Sequence, residues 1–218
     1  MTGAPRRGVG GVALGLIALS SCHWRPLAPA DAESRLRAQL QAISQLREVL
    51  PGGEALELHQ LRFTEVVISL HGDVAEVLAN AGASGSFGEA SLQYTGTERL
   101  LLHREGDGYV GPLVPSLTGV LEALARRQRA IATEDRVAIL DLAASDYRDG
   151  SVDRARLAPL FSTLWPTVER AQPNALAVRV DHDRAAVSLR FEGDGGSRTH
   201  TLALERDVKL WRYSAGLL

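Results

Sequence analysis

The sequence has one cysteine and no large excess of either charge. Because Cys22 is alone among 218 residues, no disulfide can form within the chain. A formal net charge of -2 at pH 7 gives neither the basic surplus that binds nucleic acid nor a strongly acidic balance. From this charge balance we expect no nucleic-acid partner. Beyond residue 21, no segment approaches the roughly 20 consecutive apolar residues of a membrane-spanning helix.

The motifs of several enzyme classes are also missing. There is no G-x-S-x-G, no H-E-x-x-H and no Walker loop. The glycines at 82, 85 and 88 do not follow the dinucleotide-binding pattern. The stretch DYRDGSVD (146–153) lacks the final glutamate of a calcium loop, so it is more typical of a capped helix end. We therefore expect no cofactor.

The histidines do not form a local pair of metal ligands. No two of them are three or four residues apart, the spacing that would place both on one face of a helix. They are His23, His59, His71, His103, His182 and His200. The sequence therefore predicts no metal site.

The cysteine directly follows an apolar run near the N-terminus. Two arginines precede the run GVGGVALGLIAL (8–19), which has the length of a secretory signal core and is too short to span a bilayer comfortably. The tetrapeptide LSSC (19–22) then resembles the lipobox of bacterial lipoproteins. An ordinary secreted protein with a stray cysteine is one alternative. A short core helix is another, and it fits less well because the run has no polar face.

The lipobox resemblance implies that residues 1–21 are a signal peptide and that Cys22 is the site of lipid attachment. In that family the thiol receives a diacylglycerol, a signal peptidase cuts before the cysteine, and the new amino group usually gains a third acyl chain. Two or three acyl chains anchor a protein stably to a membrane. His23 follows the cysteine where aspartate would favour the inner membrane, so family analogy favours the outer membrane of the envelope.

The first half of the mature chain combines a helix with a series of strands. A repeat of apolar residues every three to four positions predicts a helix over 32–49, after an extended tether at 22–31. The strand signals that follow predict a hairpin at 66–79, a flexible loop at 82–88, and separate strands at 91–94 and 98–105.

In the second half, helices again precede strands. Ser116 is expected to cap a helix that runs to Ile131, and Thr133 is expected to cap another that ends at Asp149. The apolar stripe of this second helix is Val137, Leu140, Ala144 and Tyr147. A third helical stretch surrounds Pro159. The last strands are predicted at 175–180, 185–192, 199–206 and 208–213.

The two strand regions resemble each other at a constant offset of 102 residues. The pattern Thr97-x-x-Leu100-x-Leu102-x-Arg104-x4-Tyr109 aligns without a gap on Thr199-x-x-Leu202-x-Leu204-x-Arg206-x4-Trp211. Alternation along amphipathic strands can also produce such a match. We interpret the likeness as a tandem duplication, with a first α+β domain over 32–113 and a second over 116–218.

Helices followed by an antiparallel sheet that ends in LWRY (210–213) resemble the NTF2-like superfamily, which includes SnoaL-like and ketosteroid-isomerase-like proteins. The resemblance covers residues 116–218 best, and a cystatin-like or other α+β meander is the alternative. It implies an α+β fold in which each domain has a bent antiparallel sheet that curls around its helices and can leave a pocket. Some members are enzymes and others are binding or assembly modules, so the fold alone does not decide the function.

The last strands alternate between an apolar and a polar face. The apolar face, expected to pack on helices, consists of Val178, Val180, Val187, Leu189, Phe191, Leu202 and Leu204. A ketosteroid-isomerase-like site would need a carboxylate or tyrosine pointing into that side. The candidates are Asp141, Asp146, Tyr147 and Tyr213, and each also has an ordinary structural interpretation. We therefore assign no catalytic residue.

Three arginines cluster near the end of the helix that starts at Ser116. They are Arg126, Arg127 and Arg129, and positive charge suits the C-terminal end of a helix. A solvated face is a more common role for such a group than an anion site.

We expect a non-enzymatic lipoprotein of the cell envelope, attached to the membrane through lipidated Cys22, that binds an envelope protein or assists an assembly. The alternative is a module in which residues 116–218 bind or convert a small apolar ligand. A cavity of a few hundred Å³ with inward polar groups would favour the ligand-binding alternative. A filled core with an exposed apolar patch would favour the interaction module.

Substituting Cys22→Ala tests the lipid anchor. The variant has no thiol to acylate, so we expect it to leave the membrane fraction or to persist as an uncleaved precursor. Cell fractionation and gel migration measure these two results. Ser20→Ala, which keeps a small residue and the thiol, is the control. Attachment and processing of Cys22→Ala equal to those of the unchanged protein would contradict the prediction.

Overall fold

The computed structural model describes residues 29–164, 172–193, 196–208 and 210–217, and its architecture is mixed α+β. The helices are α1 (Pro29–Ala42), α2 (Pro115–Ala132), α3 (Arg136–Leu142) and α4 (Arg154–Leu164). The strands are β1 (Leu46–Val49), β2 (Ala55–Leu58), β3 (Arg62–His71), β4 (Val74–Phe87), β5 (Ala90–Glu105), β6 (Gly108–Val110), β7 (Arg148–Asp149), β8 (Val152–Asp153), β9 (Ala175–Asp181), β10 (Arg184–Gly193), β11 (Gly196–Asp207) and β12 (Leu210–Ala215). The predicted α+β class is confirmed.

Ten of the described strands form one sheet that extends through both predicted halves. Its order is β1-β2-β4-β5-β9-β10-β11-β12, with β3 also paired to β4 and β6 to β5. Among these pairings, β5 and β9 alone are parallel, from the pair Ser91–Ala175 to the pair Gly96–Val180. We call this parallel pairing the seam. The short strands β7 and β8 form a separate hairpin.

The sheet alternates between a buried and a solvated face, as the sequence predicts for its last strands. Along β9 and β10, buried side chains alternate with more exposed ones. The predicted apolar residues Val178, Val180, Val187, Leu189, Leu202 and Leu204 are buried, and Phe191 is half-buried. Burying one side chain of this size contributes about 1.5–3 kcal/mol to folding. The apolar face of the last strands is therefore confirmed.

The helix α2 packs against strands of both halves, namely β5, β9 and β12. Pro115 occupies its first turn, where a missing N–H leaves no helical hydrogen bond unmade. Gly119 permits a close approach to the sheet, because a Cβ at this position would lie 2.6 Å from Cδ1 of Trp211. The helix predicted here is confirmed, but its N-cap is Val114 and not Ser116.

The helix predicted over 32–49 is too long. α1 ends at Ala42, and residues 46–49 form β1, which pairs with β2. Arg47 forms an ion pair with Glu57 across these two strands. The apolar spacing does continue past Ala42, but pairing with β2 outweighs the local preference for helix.

The loop predicted at 82–88 is also wrong, because β4 continues to Phe87. Gly85 lies in β4 where the paired strand β2 comes very close, since a Cβ there would lie 1.9 Å from the carbonyl oxygen of Glu57. Glycine in a strand often marks such a close approach of two backbones. The two strands predicted at 91–94 and 98–105 are one strand, β5.

The second predicted helix of the second half is shorter than expected. α3 ends at Leu142, and its N-cap is Asp135 and not Thr133, because the Asp135 side chain accepts a hydrogen bond from Ala138 N at 2.9 Å. Val137, placed in the predicted apolar stripe, is 69% exposed. Ala144 is buried but lies beyond the end of α3, and its N–H donates to the carbonyl of Tyr213 in the edge strand β12 at 2.8 Å.

The two meanders β4–β5–β6 and β10–β11–β12 share details of their geometry. In each, an arginine lies opposite an aromatic residue, in the pairs Arg104–Tyr109 and Arg206–Trp211. The backbone N–H of each arginine donates to the carbonyl of the aspartate just before the first strand of its meander, Asp73 at 2.7 Å and Asp183 at 2.8 Å. The division into domains at 32–113 and 116–218 stays a prediction, while one sheet and one cluster of buried apolar residues include both stretches.

Gly96→Ala and Gly82→Ala form a matched test of the seam. A Cβ on Gly96 would lie 2.7 Å from Cβ of Val180 across the seam, whereas a Cβ on Gly82 meets its nearest atom at 4.0 Å. We expect Gly96→Ala to lower the free energy of unfolding by about 1–3 kcal/mol. Gly82→Ala should leave it unchanged or raise it slightly. Urea unfolding of the full-length protein measures both, and equal effects would contradict the seam packing.

Candidate functional site

The two tyrosines considered for catalysis are buried and hydrogen-bonded. The Tyr213 hydroxyl donates to the carbonyl of Ala123 at 3.3 Å. The Tyr147 hydroxyl accepts from the N–H of Leu217 at 3.3 Å. Burial raises the pKa of both phenols, because the charged form loses its solvation. Both side chains therefore have structural partners that hold them in place.

The two candidate aspartates lie at the surface. Asp141 and Asp146 are both exposed. Asp146 lies beside Glu205, and the hydrogen bond between the two carboxyl groups raises the pKa of Glu205, with burial as a second cause. The structure thus does not bring the four candidates together at one accessible point.

The three clustered arginines separate into two environments. Arg127 is buried, and its Nε donates to the carbonyl of Leu217 at 3.1 Å. Burial lowers the pKa of this guanidinium. Arg126 and Arg129 instead line a cleft of about 760 Å³. The predicted solvated face of three arginines is therefore wrong for Arg127, because one face of α2 packs on the chain near Leu217.

This cleft lies between α2, α3 and β12, and we call it the helix cleft. Trp211 and Leu142 supply apolar surface, and Arg154 and Arg212 add charge from α4 and β12. Most of its charges are already compensated by neighbours. Arg129 pairs with Glu54 at 2.6 Å, and Arg212 pairs with Asp207 at 3.2 Å. The Asp135 carboxylate, which also lines it, is used as the cap of α3.

A fully buried carboxylate that the sequence analysis missed, Glu98, joins β5 to α2. Its oxygens accept from the Tyr94 hydroxyl at 2.5 Å, from Ser116 N at 2.8 Å and from Leu117 N at 3.1 Å. Two of these donors are orphan N–H groups in the first turn of α2, so Glu98 replaces a local cap. Loss of solvation raises the pKa of this carboxyl group, although its three hydrogen bonds act in the opposite direction.

The alternation along β5 is the signal that could have identified Glu98. Tyr94, Glu98, Leu100 and Leu102 are all buried, and even-numbered positions of this strand face the core. A carboxylate on that apolar face requires hydrogen-bond partners, because an unpaired buried charge is strongly unfavourable. The prediction of two separate strands at 91–94 and 98–105 hid this alternation, so Glu98 was not expected on the buried face.

A second cavity lies on the solvated face of the sheet, where β3, β4, β5 and β9 run side by side. Its volume is about 830 Å³. We call it the seam trough, because its wall includes residues from both sides of the seam. Its polar side chains are mainly amides and hydroxyls, namely Gln60, Thr64, Asn80, Ser84, Gln93, Thr95 and Thr97. Its charged lining residues are two arginines, Arg62 and Arg179, and one carboxylate, Asp181.

Other sequence predictions receive no test from the described residues. Cys22 and the signal peptide lie outside them, as do residues 22–28 of the predicted tether. The extended tether is wrong for its last three residues, because α1 begins at Pro29. Within the part of the chain that the structure describes, no group of three or more metal-ligating side chains is present. Of the histidines, His200 has a ring nitrogen 2.9 Å from the carbonyl oxygen of Gly216. No described helix is both long and apolar enough to cross a membrane.

Comparison with known proteins does not assign the chain to a family. No model of a known protein family matches it. No curated protein matches it either. A solved structure described as "Ntf2 like protein involved in plasmid conjugation" is similar over 86% of this chain and 87% of that chain, with 7% sequence identity and a TM-score of 0.28. A similarity at this level carries no argument about function.

The pH dependence of stability tests the state of Glu98. A raised pKa means that the folded protein holds this proton more tightly than the unfolded chain. As pH rises above the ordinary carboxyl value of 4.5, the unchanged protein should therefore lose stability relative to Glu98→Gln, until the folded group ionises. Urea unfolding between about pH 4 and 8 measures the difference.

The exposed Glu89 provides the control, and Glu89→Gln should show no such trend relative to the unchanged protein. A gain of stability relative to Glu98→Gln with rising pH would contradict the assignment. It would mean that the three hydrogen bonds outweigh the loss of solvation.

Proposed function

We propose that the protein is a lipoprotein of the bacterial envelope that is anchored in the outer membrane through Cys22 and binds a protein partner. It acts as a non-enzymatic interaction or assembly module, and its two halves are related to NTF2-like domains. The lipobox LSSC (19–22) supports the anchor. The absence of a catalytic motif from the sequence supports the non-enzymatic role.

The accessibility of the polar residues favours binding over catalysis. The tyrosines 147 and 213 have hydrogen-bond partners in the interior, and the buried Glu98 is surrounded by three donors. A general acid or base must come within about 3 Å of a substrate proton. These groups are the strongest candidates by chemistry, and each is used to hold an element in place.

The observation that carries the proposal is the seam trough. It is an open polar surface of about 830 Å³ that includes Arg62 from β3 and Arg179 from β9. Amide and hydroxyl side chains such as those of Gln93 and Thr97 can donate to and accept from a polypeptide backbone. A partner bound here would contact both halves of the chain at once.

The helix cleft favours a second candidate function, the binding of a small ligand in the second half. Its volume of about 760 Å³ and the apolar surface of Trp211 and Leu142 suit a ligand with an apolar part. This candidate uses a different face of the molecule from the seam trough. A cross-linking experiment can therefore separate the two.

A photo-reactive amino acid at Gln93 and, separately, at Leu210 tests where the protein makes contacts in its native cells. Gln93 lies in the seam trough, and Leu210 lies in the helix cleft and is 45% exposed. We expect one reproducible protein adduct from position 93, identified by mass spectrometry. Ala158, exposed on α4, is the control position and should give none.

Protein adducts that form equally at 93 and 158 would contradict the proposal. A small-molecule adduct at 210, with no protein adduct at 93, would favour the ligand-binding function of the helix cleft.

A further inference from the structure

Four residues form one continuous row across the seam trough. Arg62 lies opposite Gly82, Gly82 opposite Thr95, and Thr95 opposite Arg179. Directly opposed residues in a sheet point to the same face, so the row has an arginine at each end and two small residues between them. With a strand spacing of about 4.8 Å, the two arginine Cα atoms are about 15 Å apart.

The middle of this row leaves room above the sheet. Gly82 has no side chain, and a Cβ added there would find its nearest atom only at 4.0 Å. Thr95 is short and exposed. Two arginine side chains can therefore lean toward each other over these positions and approach one ligand group from both sides.

The charges of these two arginines are not compensated as those of four other sheet arginines are. Arg47, Arg99, Arg190 and Arg212 each form an ion pair with a carboxylate. Within the described residues, neither Arg62 nor Arg179 has an ion-pair partner. The one carboxylate that lines the trough, Asp181, lies 3.0 Å from the ring of His182 and forms no ion pair with Arg179.

Glu65, which contacts the trough residue Asn80, is also hydrogen-bonded. Glu65 accepts a hydrogen bond from the Asn80 side chain at 2.7 Å, and Asn80 in turn accepts from Thr97 at 3.3 Å. This network borders the row on the side of Thr64. The space between Arg62 and Arg179 thus has two guanidinium groups available to an incoming anion.

We propose that the seam trough binds an acidic segment of a partner protein, with a carboxylate of that segment held between Arg62 and Arg179. Arginine binds carboxylates through two parallel N–H···O bonds, which fixes direction as well as charge. The amide and hydroxyl side chains beside the row then contact the backbone of the segment. This inference rests on the proposed partner-binding function and adds the chemistry of the partner.

Binding of a hexaglutamate peptide to the full-length protein tests the proposal, with hexaglutamine as the neutral probe. We expect hexaglutamate to shift the backbone amide resonances of Gly82 and Thr95, and hexaglutamine to leave them unchanged. Binding should weaken as salt is added, because exposed charges are screened. Arg62→Ala and Arg179→Ala should each weaken binding roughly fivefold, the effect of one exposed ion pair of about 1 kcal/mol.

Arg190→Ala is the matched control, because Arg190 is exposed on a strand of the same sheet and pairs with Glu192 at 3.1 Å. It should bind hexaglutamate as the unchanged protein does. Equal binding of the two peptides, shifts confined to the helix cleft, or an equal loss in Arg190→Ala would each overturn the proposal. Binding to phosphatidylglycerol vesicles with no response to hexaglutamate would overturn it in favour of a lipid surface.

The cross-linking experiment at position 93 distinguishes failure of the acidic-segment proposal from failure of the partner-binding function. If the protein adduct at position 93 forms in cells and survives Arg62→Glu with Arg179→Glu, the function stands and the acidic-segment proposal fails. If no adduct forms at that position in the unchanged protein, both fail.

Discussion

The parallel pairing of β5 with β9 is the contact on which the rest of the fold depends. Six residue pairs, from Ser91–Ala175 to Gly96–Val180, turn two antiparallel groups of strands into one sheet. Parallel strands need a long connection between them, and here that connection includes α2, which packs on both sides of the seam. Gly96 permits the close pairing of β5 with β9, because a side chain there would overlap Val180.

Two further features of the structure lie beside that pairing. Two residues beyond the seam, the buried side chain of Glu98 accepts hydrogen bonds from the first turn of α2. These bonds fix the helix to the strand that it covers. On the opposite face, the seam brings Arg179 into the same row as Arg62, although the two are far apart in the sequence. One contact thus orders the interior on one side and assembles a candidate binding surface on the other.

Sequence reasoning predicted the elements with strong periodicity and missed those defined by tertiary contacts. The last four strands and α2 were predicted correctly, because alternation and a 3.6-residue period are local signals. The strand β1 and the continuation of β4 through Gly85 were missed, because each depends on a close approach of β2. No local pattern could reveal the seam or the row from Arg62 to Arg179, since each joins residues that are far apart in the sequence. The capping of α2 by Glu98 was also hidden, because it depends on how the helix packs on β5.

Native-state hydrogen exchange tests most directly the claim that the seam makes one cooperative sheet. Amides in the core strands of a single cooperative unit exchange only through global unfolding and share its free energy. We therefore expect the amides of β9 that pair across the seam to exchange with the same free energy as those in the centre of β4 and β5. Exchange of β9–β12 through a separate opening of much lower free energy, with β4 and β5 still protected, would contradict the account.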